Sequence, residues 1–419
     1  MTVKINERNE YNFFTMPKKE LKKEKTYLES VTDKVGETAV NYGFAVIKPP
    51  PIILDDIHEA KQFKDFDYYG DALEKVALTR WYTEGKHDLE PQPLAIHYKK
   101  PLPGNPVKKK SSVEMYGFEI IGSSRSTSEA LLLKCVLAVL DDLGYKDLYI
   151  DINSIGDKES IGRFERELGA YYRKNAHILI GKVRQEFKKN HYSILTNTYS
   201  EMKDFRQGAP DPISFLSDIS RSHFKEVLES VEAFGVSYKI KPSTLSNKLY
   251  GSYTVFEIRR PTHKTSSTTT EENGELLAYG YRYNHLAKKI GGKRDIPTVG
   301  ATIIVKKNPK FSKKVMVKNI KKPSFYLAQL GETAKIKVLN IVEMLRKEKI
   351  PVWHSITKDK ITGQLSGAEY MKATHVLIMG QKEAIENSMV VRDMANREQE
   401  TVSVALLPEF LKKLKKNKK

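Results

Sequence analysis

Lysines dominate the stretch 306–322, which contains eight of them and no acidic residue. From Pro323 to the end the chain has 17 basic and 11 acidic residues, so the two pieces together carry +14 of a formal net charge of +19. Concentrated positive charge binds polyanions, because neutralising phosphates releases their condensed counterions. The pattern favours a nucleic-acid partner. A lysine-rich surface that is merely solvated is the alternative.

The other residues that could do chemistry are isolated. Neither His97 nor His354 has a second ligand at metal-binding spacing, so both are interpreted as structural and no metal site is predicted. Cys135 is the only cysteine and lies in a helical apolar pattern, which predicts a buried thiol and excludes a disulfide framework. No phosphate-binding glycine loop, Ser/His/Asp set or catalytic pair of carboxylates stands out.

Length and composition indicate the general class. A chain of 419 residues with 40% hydrophobic content predicts two or three domains with a sizeable core. The longest apolar run, ALLLKCVLAVL, is too short to span a bilayer, and the N-terminal sequence lacks the apolar core of a signal peptide. We therefore expect a cytoplasmic protein with no membrane partner.

Strands and helices alternate along the chain. Residues 96–122 predict two antiparallel strands joined by a proline-rich loop. The next run predicts a helix of about 16 residues that ends at Gly144, and a strand, LYIDINSIG, follows it. Residues 250–258, rich in Tyr, Thr, Val and Phe, suit a half-buried strand. Strand–helix repeats after Pro323 predict a small α/β domain with a mostly parallel sheet.

Several of these runs resemble the histidyl-tRNA synthetase family of class II aminoacyl-tRNA synthetases. In PSTLSNKLYGSYTVFEI the family's scaffold residues are kept, but its arginine falls on Ser246, its glycine on Asn247 and its aspartate on Leu249. The scaffold matches are Pro242, Tyr250, Thr254, Val255, Phe256 and Glu257.

Residues 27–54 resemble motif 1 of this synthetase class, a helix followed by a strand with a proline. Helical spacing covers 27–41, and the strand-like run NYGFAVIKPPPIIL contains Pro50. Motif 1 builds the dimer interface, so the resemblance implies a homodimer through 27–54. The apolar residues beside the proline are Phe44, Val46, Ile47 and Ile52.

The segment 96–122 resembles motif 2. Aligned on the proline that ends the first strand, the family's arginine becomes His97 and its glutamate Lys99. On the return strand Glu119 keeps the position that, by resemblance, holds the amino group of histidine, whereas Met115 replaces a substrate-facing glutamine. The family's amino-acid-binding tetrapeptide, Pro-Glu-Gly-Thr, is missing from the preceding region.

The run AYGYRYNHLAKKIGGKRDIPTVGATIIVKK resembles the family's Gly-Gly-Arg-Tyr-Asp segment and motif 3. Arg282 and Tyr283 fit, but Tyr281 and Ile304 stand where the family has glycine. Lys307 stands for the motif 3 arginine that packs on ATP. The C-terminal part is similar to the anticodon-binding domain of the same class.

These observations predict an α+β fold. We expect a class II synthetase antiparallel-sheet catalytic-like domain over 1–305, with a helical insertion around 160–238. A basic linker over 306–322 and an anticodon-binding-like α/β domain with a basic tail over 323–419 follow it.

Activating an amino acid requires positioned positive charge at the α-phosphate of ATP. Arginine supplies it better than lysine, because its planar fork binds phosphate through two donors. We therefore predict no intact catalytic residue, with degenerate positions at His97, Ser246 and Lys307. A vestigial substrate pocket is predicted at Glu119, Met115, Tyr250, Tyr281, Arg282 and Tyr283.

Three functional hypotheses follow. The first is a tRNA-binding, RNA-binding or regulatory module with an inactive site and no cofactor. The second is a divergent active histidine–tRNA ligase that uses ATP and Mg²⁺, with other arginines such as Arg80, Arg259 or Arg282 as substitutes. The third resembles the regulatory subunit of ATP phosphoribosyltransferase, which usually lacks the C-terminal domain. The RNA-binding residues expected under the first are Lys313, Lys314, Lys321, Lys322, Lys412 and Lys413.

Overall fold

A computed structural model describes residues 27–105, 112–179, 181–261, 274–309, 311–320, 322–358 and 360–416. Within these ranges the strands form an eight-stranded, a five-stranded and a two-stranded sheet. None of the described helices has the length and apolar character needed to cross a membrane.

The strands and helices are numbered in chain order. The strands are β1 Val31–Thr32, β2 Ala45–Val46, β3 Leu94–Lys100, β4 Val113–Ile121, β5 Tyr149–Ser154, β6 Ser237–Ile240, β7 Ser252–Arg260, β8 Glu275–Arg282, β9 Thr298–Lys306, β10 Val315–Met316, β11 Phe325–Gln329, β12 Val352–His354, β13 His375–Met379, β14 Ser388–Asp393 and β15 Gln399–Ser403. The α-helices are α1 Lys34–Asn41, α2 Leu54–Ala60, α3 Ala72–Glu84, α4 Ser126–Asp142, α5 Lys158–Asn175, α6 Gly181–Lys189, α7 Ser193–Thr196, α8 Lys203–Gln207, α9 Asp218–Ala233, α10 Leu286–Lys289, α11 Glu332–Lys347, α12 Ile361–Tyr370, α13 Gln381–Glu386 and α14 Leu407–Lys416.

The large sheet has the strand order β2-β3-β4-β9-β8-β7-β5-β6. Pairing is antiparallel from β3 through to β5, and only the edge strands β2 and β6 pair in parallel. This arrangement confirms the predicted antiparallel sheet, including the hairpin of β3 and β4 and the strand β7. The predicted fold class is thereby confirmed.

The two faces of this sheet have different partners. Side chains alternate along a strand, so Phe118 of β4 lies in the core beneath α4 while Glu119 points to the opposite face, towards α3. Helix α4 is apolar on almost every side and is buried along most of its length, as the sequence predicted. Burial also raises the pKa of the Cys135 thiol well above its ordinary value, which suits a structural residue.

The C-terminal sheet has the order β12-β11-β13-β14-β15. Strand β11 pairs in parallel with β12 and β13, but β13/β14 and β14/β15 are antiparallel. The prediction of a mostly parallel sheet is therefore wrong for half of the pairings. The connection 394–398 between β14 and β15 is too short for the crossover that parallel strands require.

The region predicted to resemble motif 1 differs in detail. Its helix covers only 34–41, because Asp33 caps the helix by accepting hydrogen bonds from the backbone of Val35 and Gly36, and the residues before it include β1. The four apolar residues expected at a dimer interface are already buried within the chain. Their apolar character therefore does not by itself indicate a partner, and the homodimer stays a prediction.

Described residues of the basic segment 306–322 pair with the N-terminal part of the described chain. Strand β10 pairs with β1, and the backbone N–H of Val317 donates to the carbonyl of Ser30. The described residues of the basic tail belong to α14, which is anchored by its buried residues Leu407 and Leu411. The described residues of both basic segments are therefore part of the folded structure, and whether their lysines bind a polyanion stays a prediction.

Helix α11 of the C-terminal part packs on α4. The Arg346 guanidinium bonds Asp142 at 2.8 and 3.1 Å and also contacts Glu343. Glu343 in turn accepts a hydrogen bond from Tyr42 at 2.7 Å, and Thr38 donates to Asp142 at 2.6 Å. Apolar residues of both parts form one continuous core around this contact.

Candidate substrate pocket

Helix α3 closes the face of the large sheet that lies opposite α4. It begins after Asp71, whose carboxylate accepts hydrogen bonds from the hydroxyls of Tyr281 at 2.7 Å and Tyr279 at 3.3 Å. Glu74 and Lys75, in its first turns, are buried. The helix is thus fixed to strand β8 at one end, and these two charged side chains are enclosed between it and the sheet.

Glu119 lies at the centre of this face and is fully buried. Its carboxylate accepts hydrogen bonds from the ammonium of Lys75 at 2.6 Å and from the hydroxyls of Tyr98 at 3.0 Å and Tyr283 at 2.7 Å. Burial, followed by the charge of Glu119, raises the pKa of Tyr98 and of Tyr283 well above its ordinary value, so both are neutral donors. The carboxylate that sequence reasoning assigned to a substrate amino group therefore has its partners within the chain.

The strand opposite Glu119 leaves room for this cluster only because it has a glycine. Gly300 pairs with Glu119 across β4 and β9. A Cβ atom at Gly300 would lie 1.8 Å from Oε2 of Glu119 and 2.6 Å from Nζ of Lys75. Any other residue would displace the ion pair.

Three of the predicted pocket tyrosines lie together as a core. Tyr250, Tyr281 and Tyr283 are buried, and the hydroxyls of Tyr250 and Tyr281 lie 3.4 Å apart. They pack with Phe63 and with Val76 of α3. The structure thus brings Glu119 and these tyrosines together, and their side chains fill the space between the sheet and α3. Their role as a vestigial substrate pocket stays a prediction.

Arg282 does not belong to this pocket, and its prediction as a pocket residue is wrong. Because Tyr281 and Tyr283 face α3, strand alternation turns Arg282 to the α4 face. There its Nε donates to Oε1 of Glu129 at 2.6 Å and its Nη1 donates to the carbonyl of Ser123 at 2.6 Å. The guanidinium forms a second contact with Oε2 of the same carboxylate.

Glu129 is held ionised by its neighbours. Burial alone would raise its pKa, but the Arg282 guanidinium and the ring of His223, 2.8 Å from Oε1, outweigh burial and hold the pKa at about 2. Both side chains of the ion pair between Arg282 and Glu129 are fully buried. Arg282 is therefore committed to the fold and is not available as a substitute for a lost catalytic arginine.

Two of the predicted degenerate positions are buried in the chain. The His97 ring is 4.5 Å from the Phe118 ring on the α4 side, and burial lowers its pKa to about 4. Ser246 is buried, and among the described residues its hydroxyl has no hydrogen-bond partner. Both behave as core residues.

Lys307 and Met115 line a separate cavity of about 270 Å³ beside the tyrosine cluster. The Tyr98 ring covers Gly117, which lies between Met115 and Glu119 on β4, so Met115 is not next to Glu119. Met115 is thus a wall of this cavity and not a contact of the carboxylate.

The lysines of this cavity are largely neutralised by carboxylates. The ammonium of Lys100 lies 2.8 Å from Glu74, and that of Lys99 lies 2.9 Å from Glu114. The described residues of this cavity therefore do not form a cluster of unpaired positive charge suited to a triphosphate.

Sequence reasoning missed Lys75, the residue that decides the character of the site. The sequence feature that could have pointed to Lys75 is its position in α3. Ala72, Lys75, Val76 and Thr79 follow helical spacing, and all four are buried in the structure. A lysine at such a buried position requires a buried partner. The sequence could not show that the partner is Glu119, 44 positions away.

The lysines expected to bind RNA are mostly on the surface. Lys313, Lys314 and Lys322 are exposed, as are Lys412 and Lys413 on α14. Lys321 lies outside the described residues. Within the described ranges no group of three or more His, Cys, Asp or Glu side chains could hold a metal ion.

The C-terminal part of the chain matches a known family of domains. Residues 314–414 match the family model described as the anticodon binding domain. The chain is 28% identical over 307 residues to the histidine–tRNA ligase of Fervidobacterium nodosum, a match that covers 73% of this chain and 69% of that protein.

Other matches extend further. The chain is 25% identical over 350 residues to the histidine–tRNA ligase of Bacillus subtilis, which covers 82% of this chain and 80% of that one. Among solved structures, apo S. aureus histidyl-tRNA synthetase covers 90% of this chain and 93% of its own, with 20% identity and a TM-score of 0.48.

Proposed function

We propose that this chain, which belongs to the histidyl-tRNA synthetase family, binds tRNA or another structured RNA, or regulates a partner, without activating histidine. The observation that carries the proposal is the buried contact between Lys75 and Glu119. The proposal also includes that the protein is cytoplasmic, forms a homodimer and needs no cofactor. ATP and Mg²⁺ enter only under the alternative, an active histidine–tRNA ligase like the relatives to which the chain is similar.

Physical chemistry supports an inactive site. A substrate ammonium at Glu119 would have to displace a lysine that is 2% exposed, and leaving the ammonium of that lysine buried without its partner costs about 3–5 kcal/mol. The arginine Arg282 is held by Glu129 on the other face of the sheet. Removing one transition-state donor typically lowers the rate by roughly a hundred- to a thousand-fold.

Histidine-dependent exchange of pyrophosphate into ATP is the direct test. We expect the purified chain to show exchange more than about tenfold below ordinary synthetases, whose turnover is roughly 1 to 1000 per second. The matched control is an intact histidyl-tRNA synthetase assayed in parallel, and titration calorimetry with histidine should detect no tight binding. Exchange within tenfold of the control would replace the proposal with the active-ligase alternative.

RNA binding is proposed from the exposed lysines of residues 306–322 and of α14. Each phosphate that a lysine neutralises adds about one to the slope of log affinity against log salt. We expect binding to transfer RNA to weaken steeply between about 50 and 300 mM salt. Replacing Lys313, Lys314, Lys321 and Lys322 with glutamine should weaken binding and flatten the slope by up to about four.

A control with the same loss of charge separates contact from net charge. Four exposed lysines elsewhere lie in pairs with carboxylates and are suited to the same replacement: Lys146, Lys158, Lys225 and Lys382. This control should leave most of the slope unchanged. Equal effects in both quadruple variants, or no RNA binding at low salt, would contradict the proposed RNA surface.

A further inference from the structure

A larger cavity, of about 420 Å³, lies between the large sheet and the C-terminal sheet. Its walls come from residues 28–30, from the end of α1, from β2, from residues 316–323 and from β12. Strands β2 and β12 are edge strands of their sheets. Among the described residues this cavity shares no wall with the cavity of about 270 Å³ beside the tyrosine cluster. Its volume is in the range typical of small-molecule sites, ~300–1,000 Å³.

The walls of this cavity are mostly apolar and include the indole of Trp353. The apolar wall residues are Leu28, Val40, Ala45, Val46, Met316, Val317, Ile320, Pro323, Val352 and Trp353. Such walls favour the apolar part of a ligand, because its transfer out of water is favourable. An aromatic ring suits them well, since aromatic rings pack against an indole in stacked or edge-on arrangements.

Two lysines make the solvent side of the cavity positive. Lys318 and Lys322 line it, and both are exposed. Neither has an ion-pair partner among the described residues, and Glu29 is the one acidic residue of the described walls. The walls therefore carry a net positive charge, which favours a ligand with an anionic group.

His354 adds a hydrogen-bonding group to the wall. Its Nε2 atom is buried and has no hydrogen-bond partner within the described ranges. Burial lowers the pKa of His354 to about 4, so the ring is neutral near pH 7 and Nε2 either donates or accepts a hydrogen bond. Buried polar atoms are rarely left without a partner. A polar atom of a bound ligand would provide one.

We propose that this cavity binds an aromatic carboxylate. The ring of the ligand lies among the apolar walls, its carboxylate faces Lys318 and Lys322, and a polar substituent of the ring bonds Nε2 of His354. The walls come from separate parts of the chain, so the bound ligand also holds the C-terminal sheet against the large sheet. This inference goes beyond the proposed function and does not depend on it, because the cavity is separate from Lys75 and Glu119.

Fluorescence of Trp353 reports binding at the cavity itself. The chain has two tryptophans, so Trp81→Phe leaves Trp353 as the single reporter. We expect phenylpropionate to change its emission in a saturable way and to raise the thermal midpoint of the full-length chain. Phenylpropanol has the same ring without the charge, and it should bind at least about threefold more weakly.

A pair of lysine variants tests the contact with the carboxylate. Lys318→Gln/Lys322→Gln should remove the preference for phenylpropionate over phenylpropanol. Lys313→Gln/Lys314→Gln is the matched control, since it removes the same charge from the same segment at residues that do not line the cavity. It should keep the preference. Val317→Phe fills part of the cavity and should weaken the binding of both compounds.

The hydroxyl derivative of phenylpropionate tests the role of His354. With a hydroxyl at the ring position opposite the side chain, the ligand should bind about threefold or more tightly than phenylpropionate. His354→Phe keeps an aromatic ring without nitrogen and should abolish this gain. A gain that persists in His354→Phe, or no gain in the unaltered cavity, overturns the contact with Nε2.

The lysine variants change only exposed residues, so the decision does not depend on a core substitution that fails to fold. Saturable binding that prefers the anion, and loses this preference only without Lys318 and Lys322, supports the proposed site. Three results overturn it: no saturable change in Trp353 emission, equal binding of the neutral compound, or equal effects of the two lysine pairs.

Discussion

Arg282→Met is expected to lower the free energy of unfolding by about 3–5 kcal/mol, because it leaves a buried carboxylate without its main partner. Glu129 is fully buried, and of its two hydrogen-bond partners among the described residues His223 would remain after the change. Methionine keeps the approximate length of the side chain, so the loss reports charge and hydrogen bonding more than volume. Urea unfolding of both proteins at neutral pH measures the difference.

The pH dependence of this loss has a definite sign. The pKa of Glu129 is about 2 in the folded protein, against an ordinary value of 4.5. A depressed pKa contributes stability that is present above the unfolded pKa and disappears as the pH falls towards the folded one. The difference between Arg282→Met and the unaltered chain should therefore narrow as the pH falls from about 4.5 to 2.

An exposed arginine provides the control. Arg294 lies 2.8 Å from Asp88, with 69% of its side chain exposed, and Arg294→Met should cost less than about 1 kcal/mol. If Arg282→Met costs no more than this control, the ion pair is not the structural element described above. A loss that stays constant down to pH 2 would contradict the assignment to Glu129.

Arg282 also shows how far sequence reasoning reached. The resemblance to a family segment grouped Tyr281, Arg282 and Tyr283 as one pocket. The strand prediction already implied that neighbours in a strand point to opposite faces. The pattern could therefore have separated the arginine from the tyrosines, but it could not show that Glu129 of α4 would hold it.

Local patterns predicted the elements where the hydrophobic period was unambiguous. The hairpin of β3 and β4, helix α4 and strand β5 follow directly from alternation, helical spacing and the glycine at 144. Residues 27–33 have helical spacing but form no helix, because Asp33 accepts the first backbone hydrogen bonds of α1 and so fixes its start. The helix-capping hydrogen bonds of Asp33 thus determined where the helix begins, and the weak helical spacing before it did not.

Contacts between distant segments could not be predicted from the sequence. The lysine-rich stretch 306–322 was predicted to be a linker, yet its residues Val315 and Met316 pair with β1 near the beginning of the described chain. The partner of Lys75 lies on another strand, and the partner of Arg346 on another helix. Such pairings depend on packing of whole elements, which leaves no trace in local spacing.

The contact between α11 and α4 leads to the second large effect. Arg346 is nearly buried and bonds Asp142 and Glu343, while Glu343 also accepts from Tyr42. Arg346→Met should leave two carboxylates facing each other without their shared cation. We expect it to cost about 2–4 kcal/mol and to weaken the packing of the C-terminal part on α4.

The two tryptophans of the chain report the two parts separately. Trp81 lies in α3 against the large sheet, and Trp353 lies in β12 of the C-terminal sheet. Each can be replaced by phenylalanine in turn, which leaves one fluorescent reporter. The shared core around α4 and α11 predicts that both reporters unfold at the same urea concentration in the otherwise unaltered chain.

Arg346→Met is expected to separate these transitions, with the Trp353 signal moving to lower urea than the Trp81 signal. Lys347→Met is the matched control, since Lys347 is the next residue on α11 and lies 2.9 Å from Asp141 but is 55% exposed. It should cost less than about 1 kcal/mol and keep the transitions together. Coincident transitions in Arg346→Met, or a loss equal to that of Lys347→Met, would show that the apolar core alone holds the C-terminal part in place.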